Sequence, residues 1–242
     1  MFWGRKVAVV VPAFNERDHI LRVLGRSPAL VDFIIVVDDK STDGTAELVL
    51  AHRDPRVRLV QQRTNQGLGA ALTSGHRLAL ELGCDISVVM AGDDQMDPDY
   101  LPNLLAPLAE GRADVAKGNR FFSWTSMRQM PAPRLLGGLV LTWFTRVASG
   151  YWHLKDAQNG YIAFTAAALQ RIDFAKVASG YAVENAMLIQ LGATGARLVD
   201  VPIPARYGSE RSKMHIFQDG AIILGTVVKA IPARYLRRSR RQ

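Results

Sequence analysis

The stretch Val7-Ala8-Val9-Val10-Val11-Pro12-Ala13-Phe14-Asn15-Glu16 decides the fold. Its first five residues are apolar and mostly β-branched, without the polar alternation of a half-exposed strand, so both faces of that strand are buried. Proline then ends the run and polar residues follow. Phe33–Val37, Val57–Val60, Ile86–Met90 and Val115–Gly118 repeat the pattern of a short apolar strand. Between them, His19–Leu24, Thr45–Ala51, Gly69–Leu82 and Tyr100–Ala109 carry helical spacing. This alternation predicts an α/β domain with a mostly parallel central sheet flanked by helices. Ligands of such sheets bind beyond the carboxyl ends of the strands, so the residues just after each strand are the first candidates for function.

Those residues are rich in oxygen. Pro12-Ala13-Phe14-Asn15-Glu16 follows the first strand, Asp38-Asp39-Lys40-Ser41-Thr42-Asp43-Gly44-Thr45 the second, and Ala91-Gly92-Asp93-Asp94-Gln95-Met96-Asp97-Pro98 the fourth. For Asp43, Asp97 and Asp99, turn and cap chemistry is a sufficient explanation. Asp93, Asp94 and Gln95 together concentrate negative charge and oxygen donors, which a hard divalent cation or its phosphate complex offsets. With little His or Cys nearby the metal is Mg²⁺ or Mn²⁺ rather than zinc. Asn65-Gln66-Gly67-Leu68-Gly69 lacks the spacing of a phosphate loop and reads as a turn into a helix.

The chain has 242 residues, enough for one compact domain with a short appendage, and 48% hydrophobic with 21% charged residues suits a globular core. Cys84 is the only cysteine, so no intramolecular disulfide forms and a reducing, cytoplasmic setting is the simpler assumption. The formal charge of +8 is local: residues 1–205 hold 21 basic and 20 acidic side chains, whereas residues 206–242 hold nine basic and two acidic. A neutral body with a basic C-terminus argues against a nucleic-acid groove and for an anionic surface. Five apolar residues before Pro12 are too few for a signal peptide, and neither Leu135–Thr145 nor Ile216–Val228 reaches the roughly 20 residues of a spanning helix.

Three ordered motifs carry a specific likeness. Val9-Val10-Val11-Pro12-Ala13-Phe14-Asn15-Glu16, Val36-Val37-Asp38-Asp39 with Ser41-Thr42-Asp43-Gly44-Thr45, and Asp93 with Gln95 and Asp97-Pro98 resemble the family 2 glycosyltransferases. Within them the chain is similar to the polyprenyl-phosphate branch typified by dolichol-phosphate mannosyltransferases, from about Val7 to Lys213. The resemblance implies a GT-A fold, a UDP- or GDP-linked nucleotide-sugar donor, a divalent metal and inversion at the transferred carbon. Pro12, Phe14, Asn15 and Glu16 would line the nucleotide pocket, and Asp38 and Asp39 would contact base and ribose. Asp93 would be the metal ligand of the Asp-x-Asp element, with Gln95 as a second. Here the chain departs from the pattern: Ala91 replaces the first Asp of that element, which means either weaker metal binding or substitution by Asp94 through a shifted loop.

In Lys117-Gly118-Asn119-Arg120-Phe121 the resemblance places Arg120 near donor or acceptor phosphates. Lys155-Asp156-Ala157-Gln158-Asn159-Gly160-Tyr161 resembles the acceptor motif, with Asn159 and Ile162 as departures, so the acceptor pocket is partly redesigned. Glu184, in Gly180-Tyr181-Ala182-Val183-Glu184-Asn185, would face the site or cap a helix. Val201-Pro202-Ile203-Pro204 with Arg206, Ser212 and Lys213 resembles a closing basic loop in which Arg206 and Arg211 compete for the phosphate role beside Lys213.

A leaving diphosphate develops charge that a metal and Arg/Lys groups stabilise. A lipid-phosphate acceptor is already ionised near pH 7, its second pKa being about 6, and needs no general base. A sugar hydroxyl does, and Asp156 and Glu184 are the candidates. The lipid phosphate is favoured; a glycan or small-molecule hydroxyl acceptor, or a non-catalytic nucleotide-sugar module, are the alternatives. A domain over residues 1–213 would be followed by an amphipathic helix and polybasic tail over 214–242, holding the enzyme peripherally on the cytoplasmic face of an anionic membrane. Arg134–His153, with Trp143, Tyr151 and Trp152, is compatible with a second membrane contact, with core, or with the surface of a homo-oligomer.

Overall fold

A computed structural model describes residues 1–122, 127–128, 130–178, 180–204 and 216–239, the stretches 216–217 and 232–239 by backbone alone. Seven strands, β1 (Val7–Ala13), β2 (Phe33–Asp38), β3 (Val57–Gln61), β4 (Ile86–Val89), β5 (Val115–Asn119), β6 (Ile162–Thr165) and β7 (Leu198–Pro202), form one sheet in the order β3-β2-β1-β4-β6-β5-β7. Every neighbouring pair is parallel except those made by β6, which runs against both β4 and β5. The helices are α1 (Ile20–Gly25), α2 (Thr45–Ala51), α3 (Leu68–Glu81), α4 (Leu101–Ala109), α5 (Ala132–Ser149), α6 (Ala166–Leu169), α7 (Val183–Thr194) and α8 (Ile216–Ser239). The predicted α/β architecture and its first five strands are present. Residues 201–202, expected to open a loop, instead finish β7, where they pair with the end of β5.

The alternation of the pleat sorts the apolar runs into two layers. Val7, Val9 and Val11 of β1 face one side with Ile34, Val36, Ile86 and Val88, covered by Ile20 and Leu24 of α1 and Leu101, Leu104 and Leu105 of α4. Ala8, Val10, Ile35 and Val37 face the other, under Leu72 and Ala79 of α3 and Val183, Leu188 and Leu191 of α7. A third cluster joins Leu141 and Ala148 of α5, Ala182, and Ile223 and Val227 of α8, so the C-terminal helix is packed on the body along that stretch. Tyr151 is also core, its hydroxyl donating to the Ala196 carbonyl at 2.8 Å, whereas Trp143 and Trp152 are exposed.

Two glycines set how closely the layers approach. A Cβ on Gly75 of α3 would lie 2.2 Å from Val10 Cγ1, and one on Gly192 of α7 would lie 2.0 Å from the Ser149 carbonyl oxygen at the end of α5. His76, beside Gly75, is wholly buried with Nδ1 2.9 Å from Ser87 Oγ, and burial pushes its imidazole down to about 3, so it is a neutral core residue at ordinary pH. Asp200 on β7 is paired in register with Lys117 of β5; its Oδ2 accepts from Lys155 N at 3.1 Å while Oδ1 is buried without a hydrogen-bond partner. Burial pushes the Asp200 carboxyl up to about 6.

Gly192→Ala should cost about 2–3 kcal/mol, because the clash is with backbone that cannot swing aside. Gly137→Ala, in α5 with nothing within 4 Å of the added carbon, should instead stabilise by about 0.5–1 kcal/mol. Urea denaturation of both variants checks the pair. Because the folded Asp200 holds its proton more tightly than the unfolded chain, its favourable contribution is complete below about pH 3.8 and is lost as pH rises through about 6. Asp200→Asn should therefore gain stability relative to the wild type between about pH 4 and 7, by about 1–3 kcal/mol, and the gain should vanish toward pH 4.

Candidate active site

The loops after β1 and β2 are built as one unit. Asn15, in the left-handed region at φ 53°, donates its backbone N–H to Ser41 Oγ at 2.9 Å and accepts from Thr42 N through Oδ1 at 2.9 Å. Glu16 N donates to Thr45 Oγ1, and Asp43 accepts from Arg17 N, Thr45 N and Thr45 Oγ1. Burial alone would raise the Asp43 carboxyl, but those hydrogen bonds hold it below the usual carboxylate range. This is the turn role expected of it. Of Pro12, Phe14, Asn15 and Glu16 in this unit, Glu16 is buried and Phe14 exposed.

The adjacent carboxylates of Asp38 and Asp39 have different tasks. Both oxygens of Asp39 accept from the next loop, Oδ1 from Gln66 N at 2.8 Å and Oδ2 from Gly67 N at 2.7 Å, which ties the start of α3 to the end of β2. Asp38 accepts from Ser41 N at 3.3 Å through Oδ2, while its Oδ1 is buried with no hydrogen-bond partner. An unmet carboxylate oxygen is expensive inside a protein. A ligand that brings an N–H or O–H to the end of β2 would satisfy it.

The loop after β4 lies directly against this unit: a Cβ on Gly92 would be 3.1 Å from the Pro12 carbonyl oxygen and 3.3 Å from Glu16 Cγ. Asp93 accepts from Gln95 N at 3.1 Å through Oδ1, folding the loop so that the carboxylate and the amide side chain share one turn. Asp94, at φ 60°, turns its carboxylate the other way, to Arg26 at 3.0 Å and Arg22 at 3.6 Å, and Asp97 shares Arg26. Arg22 of α1 and Arg26 just after it thus hold the Asp94 carboxylate. Among the described residues no group of three or more His, Cys, Asp or Glu is placed to hold a metal ion. Asp93 and Gln95 would supply two oxygen donors to a Mg²⁺ or Mn²⁺ ion and leave the rest of its shell to substrate phosphates and water.

The third wall comes from β5, the 155–161 loop and α7. Arg120 grips Asp156 in a two-pronged pair, Nε to Oδ2 at 2.7 Å and Nη2 to Oδ1 at 3.0 Å, and Asp156 also accepts from Arg120 N and Gln158 N. Asp156 has no exposed surface, so every direction in which it could take a proton is already used. Lys117 is likewise fully buried and donates to the Asn159 carbonyl at 2.6 Å and to Glu184 Oε2 at 2.9 Å. Gly118 lets Asn159 approach, and Gly160 does the same for Met96 and Glu184: a Cβ at Gly160 would lie 2.9 Å from Met96 Cε and 3.2 Å from Glu184 Oε1. Tyr161 closes the circuit by donating its hydroxyl to the Asp97 carbonyl at 3.2 Å.

The candidate residues at the ends of β1, β2, β4 and β5, with Asp156 and Glu184, therefore converge on one sheet edge. Arg206, Arg211 and Lys213 lie outside the described residues. Two residues were not singled out from sequence. Lys117 had only one signal, a lysine inside an otherwise apolar strand. Tyr181, just before α7, has its hydroxyl pushed up by burial first and then by the carboxylates of Asp219, Asp93 and Glu16.

The family model for glycosyl transferase family 2 matches residues 8–176. The chain is 34% identical over 203 residues to the undecaprenyl-phosphate mannosyltransferase of Micrococcus luteus, covering 82% of each. It is 27% identical over 216 residues to the UDP-N-acetylglucosamine–dolichyl-phosphate N-acetylglucosaminyltransferase of Methanococcus voltae, covering 83% of this chain and 86% of that one. Among solved structures, the glucosyl-3-phosphoglycerate synthase of Mycobacterium tuberculosis in complex with Mn²⁺, UDP and glucosyl-3-phosphoglycerate superposes with a TM-score of 0.65 at 25% identity, over 95% of this chain and 81% of that one. The sheet order, the antiparallel β6 and the carboxylate-bearing strand ends are those of a GT-A fold. The chain belongs to glycosyl transferase family 2.

Proposed function

We propose that this glycosyltransferase moves a hexosyl group from a nucleoside-diphosphate sugar to a polyprenyl phosphate at a membrane surface, by direct displacement with inversion. The observation that carries the choice of acceptor is the state of the two carboxylates a hydroxyl acceptor would need. Asp156 is saturated by Arg120 and backbone N–H groups, and Glu184 has one of its two oxygens, Oε2, committed to the Lys117 ammonium. A phosphate acceptor, ionised near neutral pH, does without such a base. The two relatives support the same choice: their names differ in the sugar and share a polyprenyl or dolichyl phosphate.

In this reading the nucleoside lies over Pro12 to Glu16 and supplies the hydrogen-bond donor that Asp38 Oδ1 lacks. Asp39 acts through the 66–67 backbone it holds rather than by contact. Asp93 and Gln95 hold a divalent ion, which neutralises charge on the departing diphosphate when bound. Arg120, fixed by Asp156, presents a constant cation to the acceptor phosphate and aligns its oxygen for attack at the sugar carbon opposite the leaving group. Arg206, Arg211 and Lys213 are proposed to close over the phosphates.

The surface suits a lipid-borne substrate. Leu136, Leu139, Val140 and Trp143 form an exposed apolar stripe at helical spacing on α5, Ile222 and Val228 are exposed on α8, and the chain ends in a run rich in arginine. No helix among the described residues is long and apolar enough to cross a membrane, so attachment through this face is peripheral.

Incubation with labelled nucleotide sugars, Mn²⁺ and undecaprenyl or dolichyl phosphate should yield a labelled lipid, and Arg120→Ala should lower kcat/KM by about 10²–10³. Transfer to a soluble saccharide with no lipid product from any donor would contradict the proposal. Leu136→Asp with Trp143→Asp should release the protein from sedimenting anionic vesicles while leaving its nucleotide affinity unchanged.

A further inference from the structure

We propose that Arg26 is a positioning residue for the metal: its guanidinium clamps the 93–97 turn from outside, so that Asp93 and Gln95 are held ready for a divalent ion. The inference rests on the metal reading of the proposed function and is independent of the sugar and of the acceptor. Ala91 stands where the motif would place a first carboxylate, which leaves Asp93 to supply the charge. A site with so few protein donors binds well only when they are ordered before the ion arrives, because ordering them on binding costs free energy.

The turn has few ties of its own. Asp93 Oδ1 accepts from Gln95 N at 3.1 Å, and Ala91 N donates to Met96 Sδ at 3.2 Å. Asp94 has a left-handed backbone, φ 60°, which a residue with a Cβ keeps only where its surroundings hold it. Arg26 provides that hold. Its Nη1 donates to Asp94 Oδ1 and its Nη2 to Asp97 Oδ1, both at 3.0 Å, so one planar fork joins the two sides of the turn. The backbone behind the fork is fixed as well: Arg26 N donates to the Arg22 carbonyl at 3.0 Å at the end of α1. At the start of that helix His19 N and Ile20 N donate to the Glu16 carbonyl at 2.9 and 2.8 Å. The segment after β1, helix α1 and the 93–97 turn are thus one connected frame.

Charge alone predicts the opposite effect. The charges of Arg22, Arg26, Asp94 and Asp97 cancel, so removing either arginine leaves extra negative charge beside Asp93 and favours a cation. The sign of the change therefore separates a clamp from a counter-charge.

Titration of Mn²⁺ into the protein saturated with UDP or GDP, read by heat and by the electron paramagnetic resonance of free Mn²⁺, tests this. Arg26→Ala should weaken Mn²⁺ binding by about 10-fold, the low end for residues that orient a metal ligand from outside the coordination shell. Its affinity for the diphosphate without metal should be unchanged. Arg22→Ala, which removes the same charge and leaves both Arg26 bonds, should bind Mn²⁺ at least as tightly as the wild type. Three results would each overturn the proposal: Mn²⁺ affinity in Arg26→Ala equal to or above that of the wild type, equal weakening in both variants, or an equal loss of metal-free diphosphate affinity. Should Arg26→Ala fail to fold, Arg26→Lys decides alone: it keeps the charge without the fork, and an unchanged Mn²⁺ affinity overturns the clamp. Failure of Mn²⁺ to bind the wild type with either diphosphate would overturn the metal reading itself, and this proposal with it.

Discussion

Strand β6 runs against both of its neighbours, and the second half of the site depends on that reversal. In a parallel sheet only the loops that follow strands reach the carboxyl edge. Because β6 points the other way, the loop that precedes it, residues 155–161, arrives at the same edge. Asp156, Asn159 and Gly160 thus meet the ends of β4 and β5, where Arg120, Lys117 and Met96 are waiting. The reversal also carries Tyr161 to the Asp97 carbonyl, so the loop proposed to hold the metal is braced by the strand beside it.

Buried charge stabilises this arrangement only because it is paired. Arg120 with Asp156 and Lys117 with Glu184 place two cations and two carboxylates where water scarcely reaches, and removing one partner of such a pair typically costs about 3–5 kcal/mol. Glycine makes the packing possible: residues 92, 118 and 160 each sit where a Cβ would strike a side chain or carbonyl of the site. The outcome is a set of fixed charges aimed before any ligand arrives, which is what stabilising a developing diphosphate charge requires.

Much of this was readable in the chain. The Val7–Val11 run placed the central strand, and the oxygen-rich segments after it, after β2 and after β4 marked the sheet edge where the candidate residues lie, because apolar strands and polar loops differ in composition. β6 was not readable: four residues, Ile162–Thr165, are too few to show a period, and its direction is a tertiary property. The same holds for Asp94, whose sequence position beside Asp93 made it a substitute metal donor. Only the folded chain shows that Arg22 of α1 and Arg26 just after it hold it. Asp38 and Asp39 look alike in sequence, yet their burial against different neighbours leaves one oxygen unmet and the other pair fully used. Helix α8 has the apolar spacing of an interfacial helix and also buries Ile223 and Val227 against α5, since one helix can present two apolar faces.

The account depends most on Asp93 with a divalent ion, and not on its neighbour. Nucleoside diphosphate affinity measured by titration with and without Mn²⁺ tests this directly in Asp93→Asn and Asp94→Asn. The account predicts that Mn²⁺ strengthens binding in the wild type and in Asp94→Asn alike, and that Asp93→Asn abolishes the effect of the metal. Loss of the Mn²⁺ effect in Asp94→Asn with its retention in Asp93→Asn would contradict it.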